Sequence, residues 1–135
     1  MEVSKQDKLE FHGVDILNVN FNLLIPREDK LKINIKCTPK VFYPEDQIHA
    51  FKIIMEVELR DEQHFELYIR AAGNFEVGAE LDSESRSKFI NANAPAIMFP
   101  YIRSFITTLT ANLGNVTGPL VIPTQFFKGE LEEIK

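Results

Sequence analysis

Four stretches ahead of Gly78 alternate apolar and polar side chains. In the first, Leu17, Val19, Phe21, Leu23 and Ile25 fall on one side and Asn18, Asn20 and Asn22 on the other. Successive strand side chains point to opposite faces, so this pattern predicts a strand with one buried face. Upstream, Phe11, Val14 and Ile16 are out of phase with that set, which predicts a β-bulge near Ile16–Leu17. The second stretch sets Leu31, Ile33, Ile35 and Cys37 against Lys32, Asn34 and Lys36. The third sets Phe51, Ile53, Met55, Val57 and Leu59 against Lys52, Ile54, Glu56, Glu58 and Arg60. The fourth sets Phe65, Leu67, Ile69 and Ala71 against Glu66, Tyr68 and Arg70, then resumes at Phe75 and Val77 beyond Gly73. A glycine inside a strand predicts a bend or a close backbone approach. Pro26-Arg27-Glu28-Asp29 ends the first strand, and Asp61-Glu62-Gln63 is short enough for a hairpin.

The period then changes. Met98, Ile102, Phe105, Leu109 and Leu113 recur at helical spacing, with Phe99 and Ile106 widening the stripe and Arg103, Thr107 and Thr110 opposite. Asn93 is the expected N-cap, Pro95 lies in the first turn and Gly114 is the expected stop. Pro100 falls inside this helix, at a cost of ~3 kcal/mol unless the helix bends or starts late. A short helix from Asp82 to Ile90 is expected before it, with Asp82 as cap. Short connections imply antiparallel pairing. The fold class is therefore α+β: a four-stranded antiparallel sheet packed against C-terminal helices. We expect one domain over residues 11–127, with flexible ends at 1–10 and 128–135.

One amphipathic helix and one short one cover only part of such a sheet. Phe42, Tyr43, Ile54, Tyr68, Tyr101 and Val121 are then candidates for exposed apolar surface. Leaving a large apolar side chain in water forgoes ~1.5–3 kcal/mol, so an uncovered set marks an interface or a binding groove.

Composition narrows the class. A chain of 135 residues with 44% hydrophobic and 26% charged residues has a soluble globular balance. The net charge of −5 argues against general nucleic-acid binding, which needs Lys and Arg on phosphates. No apolar run approaches the ~18 residues of a membrane span, and the N-terminus lacks a secretion signal. The single cysteine, Cys37, forms no internal disulfide, fits a reducing cytosol and falls on an apolar strand phase. His12, His49 and His64 are far apart and expected to be solvated or singly bonded. No phosphate loop, nucleophile elbow or metal-ligand spacing is present. The sequence thus points to no catalytic residue, no metal and no cofactor: a binding protein rather than an enzyme.

The run Met98-Phe99-Pro100-Tyr101-Ile102-Arg103, following Pro95, together with Gly114 and Leu120…Pro123…Phe126, resembles the SecB family of protein-export chaperones. The likeness extends to Phe11…Ile16…Phe21…Pro26 and to Phe65–Val77 with Gly73 before Phe75, about residues 11–127 in all. The resemblance implies a four-stranded sheet on helices, assembled as a dimer of dimers with the helix after the strands at the subunit interface. It also implies a cytoplasmic holdase that binds unfolded preproteins on apolar grooves and delivers them to the SecA motor, without nucleotide or metal. On that basis Phe42, Tyr43, Tyr101, Phe105 and Val121 are the candidate client groove. Leu67, Ile69, Ile102, Ile106 and Leu109 are the candidate oligomer interface, and Glu66 and Tyr68 the candidate motor contact.

Three departures bear on function. The connection after Pro26 is shorter than the family's crossover loop, and GELEEIK stands in place of its long last helix. Where the family has acids that dock SecA, this chain has Asn20, Leu24 and Tyr68. Binding of unfolded chains is thus expected more firmly than delivery to SecA, in a homo-oligomer that is a tetramer or a dimer. The alternatives are a chaperone dedicated to one client, such as an antitoxin, and a small-ligand carrier or enzyme on the same fold.

Overall fold

In the computed structural model, described over residues 9–25, 32–47, 49–78, 81–123 and 131–134, the alternating stretches become four antiparallel strands. These are β1 (Leu9–Leu23), β2 (Asn34–Phe42), β3 (Ala50–Asp61) and β4 (Phe65–Val77). Among the described residues the sheet has the order β1-β4-β3-β2-β5, the last being a two-residue strand, Glu132–Glu133, parallel to β2. Register shifts fall between Ile16 and Asn18, where the phase change predicts a bulge, and between Phe11 and Val14. The second surrounds Gly13, whose φ of 103° favours glycine.

Strand pairing reaches both ends of the described residues. Leu9 and Glu10 already pair with Val77 and Glu76, so β1 begins inside the stretch expected to be flexible. At the other end Leu131–Ile134 do not trail away: Ile134 N–H donates to the Val41 carbonyl at 2.8 Å. Backbone groups on the edge of β2 attract any strand within reach, and four residues carry no periodicity that would announce it.

The helical part is one run with a flaw in it. Helix α1 (Ser83–Lys88) starts as expected, with Asp82 Oδ1 accepting from Ser85 N–H at 2.6 Å. It passes directly through a π turn, Phe89–Asn93, into α2 (Ala94–Ala111). Asn93 is therefore not an N-cap: its φ and ψ of −73° and −45° are helical, and its side chain caps nothing. The π turn carries an Ala94 N–H to Phe89 carbonyl bond immediately before Pro95, which has no N–H to give. Pro100 sits on the exposed side of α2, where water can serve the carbonyl it leaves unpaired. Gly114, with φ 76°, ends the run.

The buried ridge of α2 is Met98, Ile102, Ile106 and Thr110, all fully buried. Thr110 thus faces inward, against the expectation that it lies opposite the stripe. Its hydroxyl donates to the Ile106 carbonyl and accepts from Leu120 N–H, both within 2.9 Å, so no polar atom is stranded. Thr107 donates to the Leu120 carbonyl at 2.7 Å, and Arg103 Nε to the Ile122 carbonyl at 3.0 Å. The segment after Gly118 is thereby strapped along α2, with Leu120 and Ile122 buried and Val121 outward. Gly73 lies under Met98: a Cβ there would stand 2.8 Å from the Met98 sulfur, which is the close approach its place in β4 predicts.

The β3–β4 turn is a buried polar junction. His64 is buried and singly bonded through its side chain, its Nδ1 2.7 Å from Asp61 Oδ1. Asp61 also accepts from the backbone N–H of Lys32, Gln63 and His64. The His64 carbonyl accepts from Leu24 and Ile25, so this turn ties the end of β1 to the approach to β2.

Candidate functional site

The two faces of the sheet differ. On the inner face the large side chains of β3 and β4, from Phe51 to Leu59 and from Phe65 to Phe75, are sealed from solvent. β1 is not sealed. Ile16, Val19 and Leu23, which pair with or lie beside buried positions of β4, are each about two-fifths exposed. Leu17 at the bulge is 50% exposed, and Leu24 and Ile25 continue the series beyond the strand.

Helix α2 packs against β1 and β4. Residues four apart on a helix lie along one side, so Ile97, Tyr101, Phe105 and Leu109 form a second ridge beside the buried one. Ile97 and Tyr101 are exposed, Tyr101 at 54%, while Phe105 and Leu109 are half-buried. The Tyr101 ring lies 5.2 Å from Phe11 of β1, which in turn contacts Phe75 at 5.1 Å. This ridge and the inner side of β1 make one apolar margin along an edge of the sheet.

That edge is also chemically open. Among the described residues no strand pairs with the outer side of β1. Apart from β-bulges, of which β1 has two, edge strands are normally blunted by Lys, Pro or a covering segment. The stretch VDILNVNFNL has neither Lys nor Pro. The opposite edge has all three: Lys36 and Lys40, Pro39, and β5.

The five groove candidates do not converge. Tyr101 and Phe105 share the exposed ridge of α2. At 100° per residue, Arg103 and Thr107 stand on the other flank of that helix, and they hold the strap bearing Val121. Val121, 75% exposed, therefore points to solvent away from Tyr101. Phe42 and Tyr43 lie at the end of β2, across β4 and β3 from β1. Both are half-buried, Phe42 on the outer face opposite Lys52 and Tyr43 against the core. Ile54 is buried, not exposed: its rung neighbours are Lys40 and Ala72, and half-buried Lys52 and Glu56 flank it on the same face.

The interface candidates sort differently. Leu67, Ile69, Ile102 and Ile106 are closed inside the subunit, between sheet and helix, and have no surface to offer a second chain. Leu109 alone is partly accessible. Helical and strand periodicity marks the side that is buried without saying what buries it. The β1 residues escaped the sequence reading for the complementary reason: they carry the phase of core residues. The one signal available was the absence of Lys and Pro along a long strand.

The outer face is polar and largely self-paired. Asn20, Tyr68, Glu58 and Lys36 form one rung across the sheet, and Asn22, Glu66, Arg60 and Asn34 the next. Glu66 holds Arg60 at 3.2 Å and Tyr68 donates to Glu56 at 2.5 Å, a bond that raises the Tyr68 pKa. The candidate motor-contact residues thus line an open depression of about 410 Å³ as members of paired rungs, not as free acids. Glu10, His12 and Glu76 cluster within 3.5 Å of His12 at the bulged end of β1, all exposed, with ion-pair geometry. Burial pushes the Cys37 thiol up to about 12, which keeps it protonated and unreactive. No helix among the described residues is long and apolar enough to cross a membrane.

Against known proteins, the family model described as preprotein translocase subunit SecB matches residues 26–124. The uncharacterized protein MJ0357 of Methanocaldococcus jannaschii is 27% identical over 145 residues, covering 100% of this chain and 92% of that protein. Among solved structures, the Mycobacterium tuberculosis Rv1957 SecB-like chaperone, in complex with a ChAD peptide from the Rv1956 HigA1 antitoxin, superposes with a TM-score of 0.70. The two chains are 18% identical, with 91% of each covered, a likeness of fold.

Proposed function

The chain belongs to the SecB family, and from that premise we propose that it is a cytosolic holdase that binds unfolded protein chains without nucleotide turnover. The observation that carries this reading is the partly exposed set Ile16, Leu17, Val19 and Leu23 on β1, joined by Ile97 and Tyr101 of α2. An extended client segment laid along that edge would pair with open backbone groups and bury alternate side chains against Leu17, Val19 and Leu23. A second copy of the chain has the same chemistry to offer, so self-association and client binding draw on one surface. Homo-oligomer formation, as a dimer or a tetramer, is part of the proposal. Delivery to a motor is a weaker part, because Asn20 and Tyr68 replace acids and Glu66 is already paired.

The test is suppression of aggregation of a slowly refolding protein. The wild-type chain at several-fold excess is expected to suppress it. Leu17→Lys/Val19→Lys is expected to weaken client binding by about 2 kcal/mol, roughly thirtyfold, because about half of each side chain is free to be buried. Unchanged aggregation with the wild type, or equal protection by the double variant, would count against the reading.

A second reading narrows the client. The mycobacterial neighbour holds a peptide from an antitoxin, and this chain would on that reading serve one cognate partner. A single protein co-purifying in stoichiometric amount would favour it over a broad holdase.

A further inference from the structure

Residues 131–134 sit between the edge of β2 and the π turn. On one side the Val41 carbonyl of β2 accepts from Ile134 N–H at 2.8 Å. On the other, Asn91 Oδ1 accepts from Leu131 N–H at 2.7 Å. Asn91 belongs to the π turn, and its amide nitrogen is itself fixed by the Ser87 carbonyl at 2.9 Å and hydroxyl at 3.1 Å. Its oxygen is thereby aimed outward before any strand arrives. π turns are costly local flaws that often stand at functional positions.

Side chains complete the fit. Leu131 is half-buried against the core. Glu132 pairs with Lys40 at 3.9 Å. Glu133 is near enough to Tyr43 to help raise its pKa, behind burial and against Arg86. A residue's N–H and C=O point to the same side of a strand. Val41 faces outward, so Pro39 does too, and it has no N–H to offer. The pairing edge is therefore short, from Lys40 to Tyr43.

We propose that this edge is a docking site for an extended segment of the pattern apolar–acidic–acidic–apolar, and that the chain's own residues 131–134 occupy it in cis. An unfolded client carrying such a segment must displace them, so residues 131–134 compete with clients at β2 while the β1 margin stays open. The proposal rests on the holdase reading for its client, but not for its site. Phe42 and Tyr43, unconnected to the Tyr101 margin, then belong to this second surface.

The test uses the chain truncated after Glu130, with the labelled peptide GELEEIK followed by fluorescence anisotropy. The truncated chain is expected to bind the peptide saturably. The full chain should bind about tenfold more weakly or less, because its tethered copy competes at high effective concentration. Asn91→Ala in the truncated chain should weaken binding about fivefold, the worth of one hydrogen bond. If truncation impairs folding, Ile134→Pro in the full chain removes the N–H that reaches Val41, together with the Ile134 side chain, and should admit the peptide. Equal binding to full and truncated chains, no binding to a folded truncated chain, or no gain with Ile134→Pro would each overturn the site. Peptide binding that no unfolded client competes would overturn the competition. Failure of every form to bind any unfolded client would overturn the holdase reading instead.

Discussion

Ile102→Ala is expected to cost about 2–5 kcal/mol of folding stability, read from denaturant unfolding. Ile102 has no exposed surface and stands mid-ridge on α2, between Met98 and Ile106. Truncation removes three methyl or methylene groups from a packed layer and leaves a void that the sheet cannot close. The same residue at a subunit contact would give a different result: a smaller loss, and one that grows on dilution. A loss that stays the same across protein concentration, with the mass of the folded species unchanged, fits a residue internal to the subunit. A variant as stable as the wild type would contradict the packing described here.

The second large effect is expected at Asp61. Its carboxylate is held well below the usual range, from 3.8 to about 2. The first cause is the bond from the His64 ring, opposed by burial and helped by the Lys32 and Gln63 N–H groups. A depressed carboxylate stabilises the fold fully above its unfolded pKa and loses that contribution as pH falls through the folded one. The contribution of Asp61 should therefore be full and independent of pH above about pH 4, and should fade between there and about pH 2. Asp61→Ala takes the side-chain acceptor from the Lys32 and Gln63 N–H groups and from the buried His64 ring, and it loosens Lys32 and β1 together. Its destabilisation at neutral pH should exceed that of Glu62→Ala next to it, which is exposed, and the gap to the wild type should close across the acid window. A gap that stays constant from pH 7 to pH 2 would remove the carboxylate from this role.

How far the sequence showed these features depends on what each one rests on. The strands were legible because a half-buried sheet writes its period directly into the chain. Even the bulge at Ile16–Leu17 appeared as a phase change, and Gly73 as a gap where Met98 now lies. The features that failed are those decided by distant partners. Thr110 reads as a surface residue until the strap brings Leu120 N–H to its hydroxyl. Asn93 looks like a cap because nothing local reports that α1 runs on through a π turn. Asp61 and His64 look like a solvated hairpin turn until Lys32 closes over them. Residues 131–134 become a strand only because the β2 edge and Asn91 are there to receive them.

The candidate site followed the same rule. The sequence showed that apolar area exceeds what one long helix can cover, and Tyr101 was found that way. It did not show where the excess lies. Coverage seals the large inner side chains of β3 and β4 but leaves Ile16, Leu17, Val19 and Leu23 of β1 partly exposed, although α2 packs against that strand too. Leu17, Val19 and Leu23 differ from Ile69 and Leu67 in neighbours, not in pattern.

A photo-reactive residue placed in turn at Val19, at Tyr101 and at Arg70 on the outer face, then irradiated with an unfolded client, tests the central claim most directly. Cross-links to the client from the Val19 and Tyr101 positions, and none from Arg70, are the predicted result. Cross-links from Arg70 while Val19 and Tyr101 stay silent would contradict it.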